Sequence, residues 1–371
     1  MSRVALISPL ESLSAAVATW STLVACGELR GQRRGRARLI LSGRHRVRNR
    51  GFHAVLAAVA LAFTVATLVI RALPLPNNLA LVIAVGAPYV VLVALLGLVV
   101  AALSRLVVLS IVAVVVVAAS LAVQVHWYHG GRSGDVAAER VDVRVMSSNL
   151  RYGRADTEEF VELARGSADV ITVTELTSEA VQRFYSAGID EEFPHSMLFP
   201  APNAGGNGIW SRYPLTPLSP TRYWNSGMVA ARVQIPGVPI APAVASVHIT
   251  SPMGSFESWR NGVTATKSRL VGLAEAVGQG AVIAAGDFNS TPDMRQFRDL
   301  LVDGYHDAVR HTGAGLMPTF PSDTILPPVI TIDHVLTRQA NVTSIRSVDV
   351  GGSDHRALLA TVDVPIASSG S

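Results

Sequence analysis

Three stretches of this chain, Phe52 to Ile70, Ala72 to Ser104 and Leu106 to Val125, contain no Asp, Glu, Lys or Arg. Apolar runs near twenty residues are long enough to cross a hydrocarbon core of about 30 Å. Pro74, Pro76, Asn77 and Asn78 mark a turn between the first run and the second. As one helix, Leu79 to Val125 would extend roughly 70 Å at about 1.5 Å per residue, more than twice that core. Ser104–Arg105 is the natural break, so the sequence predicts about three transmembrane helices. Buried helices of a soluble protein are the rival reading, which the length of the charge-free runs disfavours.

Charge then sets the orientation. From Arg30 to Arg50 there are nine arginines and no acid. Such a run just before a span stays in the cytoplasm; a nucleic-acid-binding arm is the rival. Three crossings place everything after Val125 on the outer side of the cytoplasmic membrane. His126-Trp127-Tyr128-His129 is expected as an interfacial aromatic anchor, with no metal role for its histidines. Residues 1–29 are mildly apolar and interrupted by Glu11, and they do not form a good signal peptide. The single cysteine, Cys26, leaves no internal disulfide. The expected organisation is a cytoplasmic basic segment over 1–50, a membrane region over 51–127, a linker over 128–140 and a folded domain over 141–371.

From Val141 the pattern changes to short apolar runs separated by turns and a few amphipathic helices. Strands are expected at VDVRVMSSNL, DVITVTEL, GIWSRYPL, MVAARVQI, APAVASVHIT, AVIAAGDFN, TIDHVLTR and RALLATVDV. Helices are expected at Thr157–Arg165, Ser178–Ala187, Phe256–Val277 and Pro292–Leu301. This mixture predicts an α/β fold, a two-sheet β-sandwich flanked by helices and preceded by the all-α membrane region. Polar residues stand where these strands end: Asn149, Glu175, His248, Asp287 with Asn289, Asp333, and Asp354 with His355. Converging strand ends are where sheet proteins build sites. In an extended backbone Asp287 and Asn289 project to one face while Phe288 packs behind. Ser290 or Thr291 before Pro292 reads as a helix cap and start.

The order Asn149, Glu175, His248, GDFN, ID and SDH resembles the endonuclease/exonuclease/phosphatase superfamily of metal-dependent phosphoesterases, with its DNase I-like fold. Gly208, Ser211, Arg212 and Pro214 are similar to that family's Gly-x-x-x-Ser-Arg-x-Pro segment. The match runs from about Val141 to Val364 and takes in none of the membrane region. Thirty arginines to one lysine suggest a GC-rich bacterial genome, hence a bacterial, membrane-anchored member. One departure is Arg151, where some nuclease members carry an acid. The resemblance implies a hard cation, Mg²⁺ or alternatively Mn²⁺, held by Glu175 with Asn149 and Asp354. It implies Asp287 as the group that orients and deprotonates water, Asn289 as a phosphate contact, and Asp333 and His355 as a carboxylate–histidine pair. His248 matches the second histidine, a proton donor to the leaving oxygen; family mechanisms differ on whether His355 or Asp287 is the base. His334 takes the place of a packing aromatic, and His195, His306 and His311 have no motif.

Residues 141–371 hold 17 basic and 23 acidic side chains, against 14 and 4 in the preceding 140. A non-specific nuclease gains affinity from many phosphate contacts and carries a basic surface. The expected activity is therefore metal-dependent hydrolysis of a phosphodiester or phosphomonoester, lipid-linked or small, beside the bilayer. A surface-tethered endonuclease or exonuclease acting on DNA or RNA is the second reading, favoured if Arg151, Arg212 and Arg260 form a basic groove. A non-catalytic interaction module is the third. No protein partner is inferable.

Overall fold

The computed structural model describes residues 49–131, 139–218 and 227–366. Residues 1–29, most of the arginine run and most of the linker lie outside the described residues. Two compact units divide the chain: one takes the described part of Met1–Ala62 with Ala94–Val115, the other Phe63–Val93 with the described part of Val116–Ser371.

The helical region contains α1 (Asn49–Ala72), α2 (Asn78–Val85), a 3₁₀ turn (Ala87–Tyr89), α3 (Val90–Leu103) and α4 (Val107–Tyr128). Two helices, α1 and α4, are each long and apolar enough to cross a membrane. The α2–α3 pair passes the same test only jointly, because it bends by 45° at Gly86 and Pro88. Three spans are reached if the bent pair counts as one. The break at Ser104–Arg105 lies where expected, with Arg105 at φ 55°. In the first unit, Arg50 Nη2 donates to Arg105 O at 2.9 Å and Ser104 Oγ lies 2.9 Å from His53 Nδ1.

In the second unit, the remaining elements in chain order are β1 (Arg140–Asn149), α5 (Thr157–Ser167), β2 (Val170–Thr174), α6 (Ser178–Ser186), α7 (Ile189–Glu192), β3 (His195–Phe199), β4 (Asn207–Ser211) and β5 (Leu215–Pro217). They continue with β6 (Met228–Val233), β7 (Ala243–His248), α8 (Phe256–Val277), β8 (Val282–Asp287), α9 (Arg295–Arg298), β9 (His306–Asp307), α10 (Ala308–Thr312), β10 (Asp333–Arg338), β11 (Asn341–Val348) and β12 (Ala357–Pro365). Two six-stranded sheets result, ordered β11-β12-β1-β2-β4-β3 and β5-β6-β7-β8-β10-β9. Each has a central parallel pair, β1–β2 and β7–β8, joined through α5 and α8. The other pairings are antiparallel.

Strand alternation builds two cores. Val143, Val145, Val170 and Ile209 face the main core with the second sheet, while Met146, Ile171 and Trp210 face Phe160 of α5 and Phe184 of α6. α8 turns Trp259, Val263, Leu270, Leu273 and Val277 inward at helical spacing, and Ser255 caps its start by accepting from Ser258 N–H.

Four expectations change. The GIWSRYPL run is two strands, β4 and β5, broken around Arg212–Pro214. The edge strands β3 and β11, and the two-residue β9, were not expected; β11 carries only Val342 and Ile345 buried, too little apolar content for a strand signal. The helix expected over Pro292–Leu301 is only the four-residue α9, and Ser290 does not cap it. Its hydroxyl instead accepts from Trp259 Nε1 at 2.9 Å and donates to Phe288 O at 2.8 Å. Finally, Trp127 and Tyr128 are not an exposed aromatic belt. Both are buried in the main core, with Arg310 stacked 4.6 Å over Trp127 and Tyr128 Oη donating to Asp293 Oδ2 at 3.2 Å.

Candidate active site

One edge of the sandwich collects the polar residues. Asn149 closes β1, Glu175 follows β2, His248 closes β7, and Asp287, its register partner, closes β8. Asp333 opens β10, and Asp354 and His355 stand just ahead of β12. Asp333 and His355 are thus strand beginnings, brought to the same edge because β10 and β12 run antiparallel to β8 and β1.

Asp287 is the hub, with a side chain only 2% exposed. Its Oδ2 accepts from Asn149 Nδ2 at 3.0 Å and Asn289 Nδ2 at 3.1 Å, and its Oδ1 from the Asn289 N–H at 2.7 Å. Nε2 of His248 and of His355 lie 3.7 and 3.9 Å from the same Oδ2. His355 Nδ1 is 2.8 Å from Asp333 Oδ2, and His248 Nδ1 is 2.9 Å from the Ala204 carbonyl. Both partners are acceptors, so Nδ1 carries a proton in each ring and Nε2 turns toward Asp287. Glu175 Oε1 accepts from Asn149 Nδ2 at 3.1 Å and Oε2 from the Tyr152 N–H at 2.7 Å. Asn149 Oδ1 accepts from the Arg151 N–H at 2.9 Å.

The local backbone is bent to make these contacts. Gly286 has φ 152°, and a Cβ there would sit 2.0 Å from Val247 O, so no other residue fits beside β7. Asn289 meets Asp287 through a left-handed turn at φ 46°, not through strand alternation. Phe288 does pack behind, fully buried and edge-on to Phe297. Arg151, Tyr152 and Glu175 also have positive φ, at 48°, 54° and 57°. Non-glycine residues held there cost about 1–3 kcal/mol each and mark sites whose surroundings over-determine them.

Electrostatics separate the roles. Burial, then the charge of Asp333, pushes the Asp287 carboxyl up to about 6, against the pull of His355, His248 and the Asn289 N–H. Burial alone would lower His355, but the charge and hydrogen bond of Asp333, with Asp287 and Asp354 behind, lift it to about 10. At neutral pH the first is ionised and the second is an imidazolium.

A cavity of about 960 Å³ lies over these groups, lined among others by Tyr152, Glu175, His248, Asp287, Asn289, Asp354 and His355. The oxygens of Glu175, Asp287 and Asp354 suit a hard divalent cation, and the crowding of Asp287 and Asp333 supplies negative charge for it to offset. Among the described residues, Asp287, Asp333 and His355 also bring potential ligand atoms within 4.8 Å of one another. There His355 Nδ1 is already taken by Asp333, which makes that trio a supported imidazole beside a carboxylate.

Of the expected residues, Asn149, Glu175, His248, Asp287, Asn289, Asp333 and His355 join through the contacts above. Asp354 lines the cavity, and its carboxylate lies 3.7 Å from Arg151 Nε. Both amide hydrogens of Asn289 go to Ile249 O, at 2.8 Å, and Asp287. His334 is buried against Phe288 and Phe297, with Nδ1 2.9 Å from Asp307 Oδ2. Arg151 and Arg212 do not share a basic groove: Arg151 pairs with Asp323 at 2.7 Å, and Arg212 follows the opposite end of β4, bonded to Glu192 and the Ala168 carbonyl. Sequence reasoning missed Tyr152, which carried no motif, and Ser353. The Ser353 hydroxyl donates to Asn149 O at 2.7 Å and accepts from the His355 N–H at 3.0 Å, bracing two motifs together.

The endonuclease/exonuclease/phosphatase family model matches residues 146–355. No curated protein matches the chain. Among solved structures, an endonuclease/exonuclease/phosphatase from Beutenbergia cavernae is 21% identical, covering 60% of this chain and 72% of its own at a TM-score of 0.46. One from Bacteroides vulgatus is 17% identical, covering 60% and 99% at 0.48. A family protein from Bacteroides thetaiotaomicron is 14% identical, covering 61% and 98% at 0.46.

Proposed function

Because the chain belongs to the endonuclease/exonuclease/phosphatase family, we propose that it is a membrane-anchored, divalent-metal-dependent phosphoesterase acting on a lipid-linked or small phosphoester outside the cytoplasmic membrane. The observation that carries the reading is the convergence of Asn149, Asn289, His248 and His355 on the one buried carboxylate of Asp287.

Hydrolysis must neutralise the phosphate oxygens, deprotonate a water and hold it in line with the leaving oxygen. Glu175 and Asp354, with Asn149 beside them, would hold Mg²⁺ or Mn²⁺, which would supply charge neutralisation on the phosphoryl oxygens. Asp287, raised to about 6, is ionised at neutral pH yet a stronger base than an exposed carboxylate. It takes the proton of the attacking water as the new P–O bond forms. Asn289 clamps Asp287 from the side, through both its N–H and its amide. The His355 imidazolium, fixed by Asp333, donates from Nε2 to the charge developing on phosphorus-bound oxygen. As the bond from phosphorus to the leaving group breaks, that oxygen takes up a proton through His248 Nε2, which lies 3.7 Å from the Asp287 Oδ2 that accepts one from the water.

The membrane assignment rests on the apolar helices and the arginine run. Within the second unit, Arg71 at the end of α1 and Tyr128 at the end of α4 both bond Asp293. The preference for lipid or small phosphoesters rests on the acidic balance after Val141 and on the pairing of Arg151 with acids. Metal-dependent release of product from phospholipid, alkyl phosphodiester, phosphomonoester, DNA and RNA by the full chain is the test. No hydrolysis of any of them with Mg²⁺ or Mn²⁺ would refute the reading.

A further inference from the structure

The cavity over Asp287 is larger than a phosphoryl group requires. At about 960 Å³ it lies at the top of the range of about 300–1,000 Å³ typical of sites for whole small-molecule ligands. Its lining joins the polar cluster to apolar side chains, and part of that apolar wall comes from outside the family domain: Leu81, Val82 and Val85 of α2, together with Met294, Phe320 and Ile330. α2 has no charged residue, and at about 12 Å it is too short to cross a bilayer alone.

Contacts at both ends hold α2 in this place. Ahead of it, Arg71 Nε bonds the buried Asp293 at 2.5 Å, and Gln296 Nε2 donates to Leu75 O at 3.0 Å. Asn77 caps its start, accepting from the Ala80 N–H at 3.0 Å. Just past its end, Tyr89 Oη donates to Val329 O at 2.7 Å, on the segment that carries Ile330. Leu81 and Ala84 are buried in the main core, yet Val82 remains 55% exposed although it lines the cavity. A helix clamped so that it leaves an apolar side chain open beside a phosphate-handling cluster is a wall built for an apolar ligand.

We propose that this apolar wall binds the hydrocarbon chain of the substrate, so that the enzyme selects phosphoesters carrying a long chain on the alcohol nearest phosphorus. The proposal rests on the phosphoesterase reading above and deepens it. Each methylene moved from water into the cavity contributes up to about fourfold in affinity, whereas a free small phosphoester leaves the apolar wall wet. α2 and α3 are apolar enough to cross a membrane only as a pair, joined through the 45° bend.

The test uses the full chain in nanodiscs with Mg²⁺ and a series of alkyl p-nitrophenyl phosphates, from methyl through octyl to dodecyl, with a farnesyl member. kcat/KM should rise at least about a hundredfold from methyl to dodecyl or farnesyl. Preference for the straight or the isoprenoid chain identifies the source of the chain, and either supports the proposal. Val82→Asn and Val85→Asn should each shrink that ratio through KM. Equilibrium binding of dodecylphosphonate over methylphosphonate should weaken in parallel. A preference that both variants leave intact reflects partition into the disc and overturns the proposal, as does a flat series. If even the methyl ester is untouched while dodecylphosphonate still binds in a Val82-dependent way, the chain site stands and the catalytic reading falls.

Discussion

In the proposed mechanism Asp287 carries the chemistry, with Asn149, Asn289, His248 and His355 aiming a buried carboxylate against burial and the charge of Asp333. Asp287→Asn removes the base while preserving shape, so turnover should fall by about 10³-fold or more with the fold intact, measured by metal-dependent hydrolysis alongside thermal unfolding. Glu175→Gln should leave the fold intact and raise the Mg²⁺ concentration for half-maximal activity, read from a metal titration. An unchanged midpoint would remove Glu175 from the metal. His355 makes a pH prediction. Its pKa is raised from 6.5 to about 10, so its pairing with Asp333 contributes stability that is full below about 6.5 and lost as pH rises through 10. Asp287, raised from 3.8 to about 6, has the same sign but completes its loss below neutrality. The metal-free chain should therefore lose thermal stability between pH 7 and 10, and Asp333→Asn should flatten that slope in a melting series.

At the scale of elements, the end of α1 is joined to the sandwich within the second unit through a buried ion pair. Asp293 is fully buried and bonded to Arg71 and Tyr128, while Arg298 donates to the Arg71 and Pro292 carbonyls. Asp293→Ala strands Arg71 without its partner and should cost about 3–5 kcal/mol, measured by unfolding in detergent. A loss below about 1 kcal/mol would mean that this junction bears no strain in the fold. The polar edge of the sandwich was legible because a carboxylate, amide or imidazole beside an apolar strand stands out against its surroundings. Asn149, Glu175, His248, Asp287 and His355 were all visible that way. The reason for the Asp287–Asn289 pairing was not, since a left-handed turn at Asn289 leaves no mark in the alternation. Nor was α2 legible as a cavity wall. Apolar side chains look alike whether they face lipid or protein, so buried Leu81 and exposed Val82 read the same, as did Trp127 and Tyr128.

For the molecule as a whole, charge and hydropathy divide at about residue 140, with 14 basic and 4 acidic residues before Val141 and 17 and 23 from there on. On the proposed reading the basic half sets topology and the acidic half disfavours polyanionic substrates. A reporter fused after Ser371 should behave as exported and a tag near Arg36 as cytoplasmic; a protease-resistant C-terminal half in intact spheroplasts would imply an even number of crossings. The acidic balance also predicts weak, salt-insensitive binding of duplex DNA, since few counterions are released. The most direct test of the phosphoesterase assignment pairs wild type with Asp287→Asn, both as full chain in nanodiscs. Each is assayed with and without Mg²⁺ on a long-chain phosphodiester and on plasmid DNA. Mg²⁺-dependent cleavage of the long-chain ester, abolished in Asp287→Asn, with little nicking of plasmid, is the expected result. Cleavage that Asp287→Asn leaves intact, or rapid nicking with the long-chain ester untouched, would contradict it.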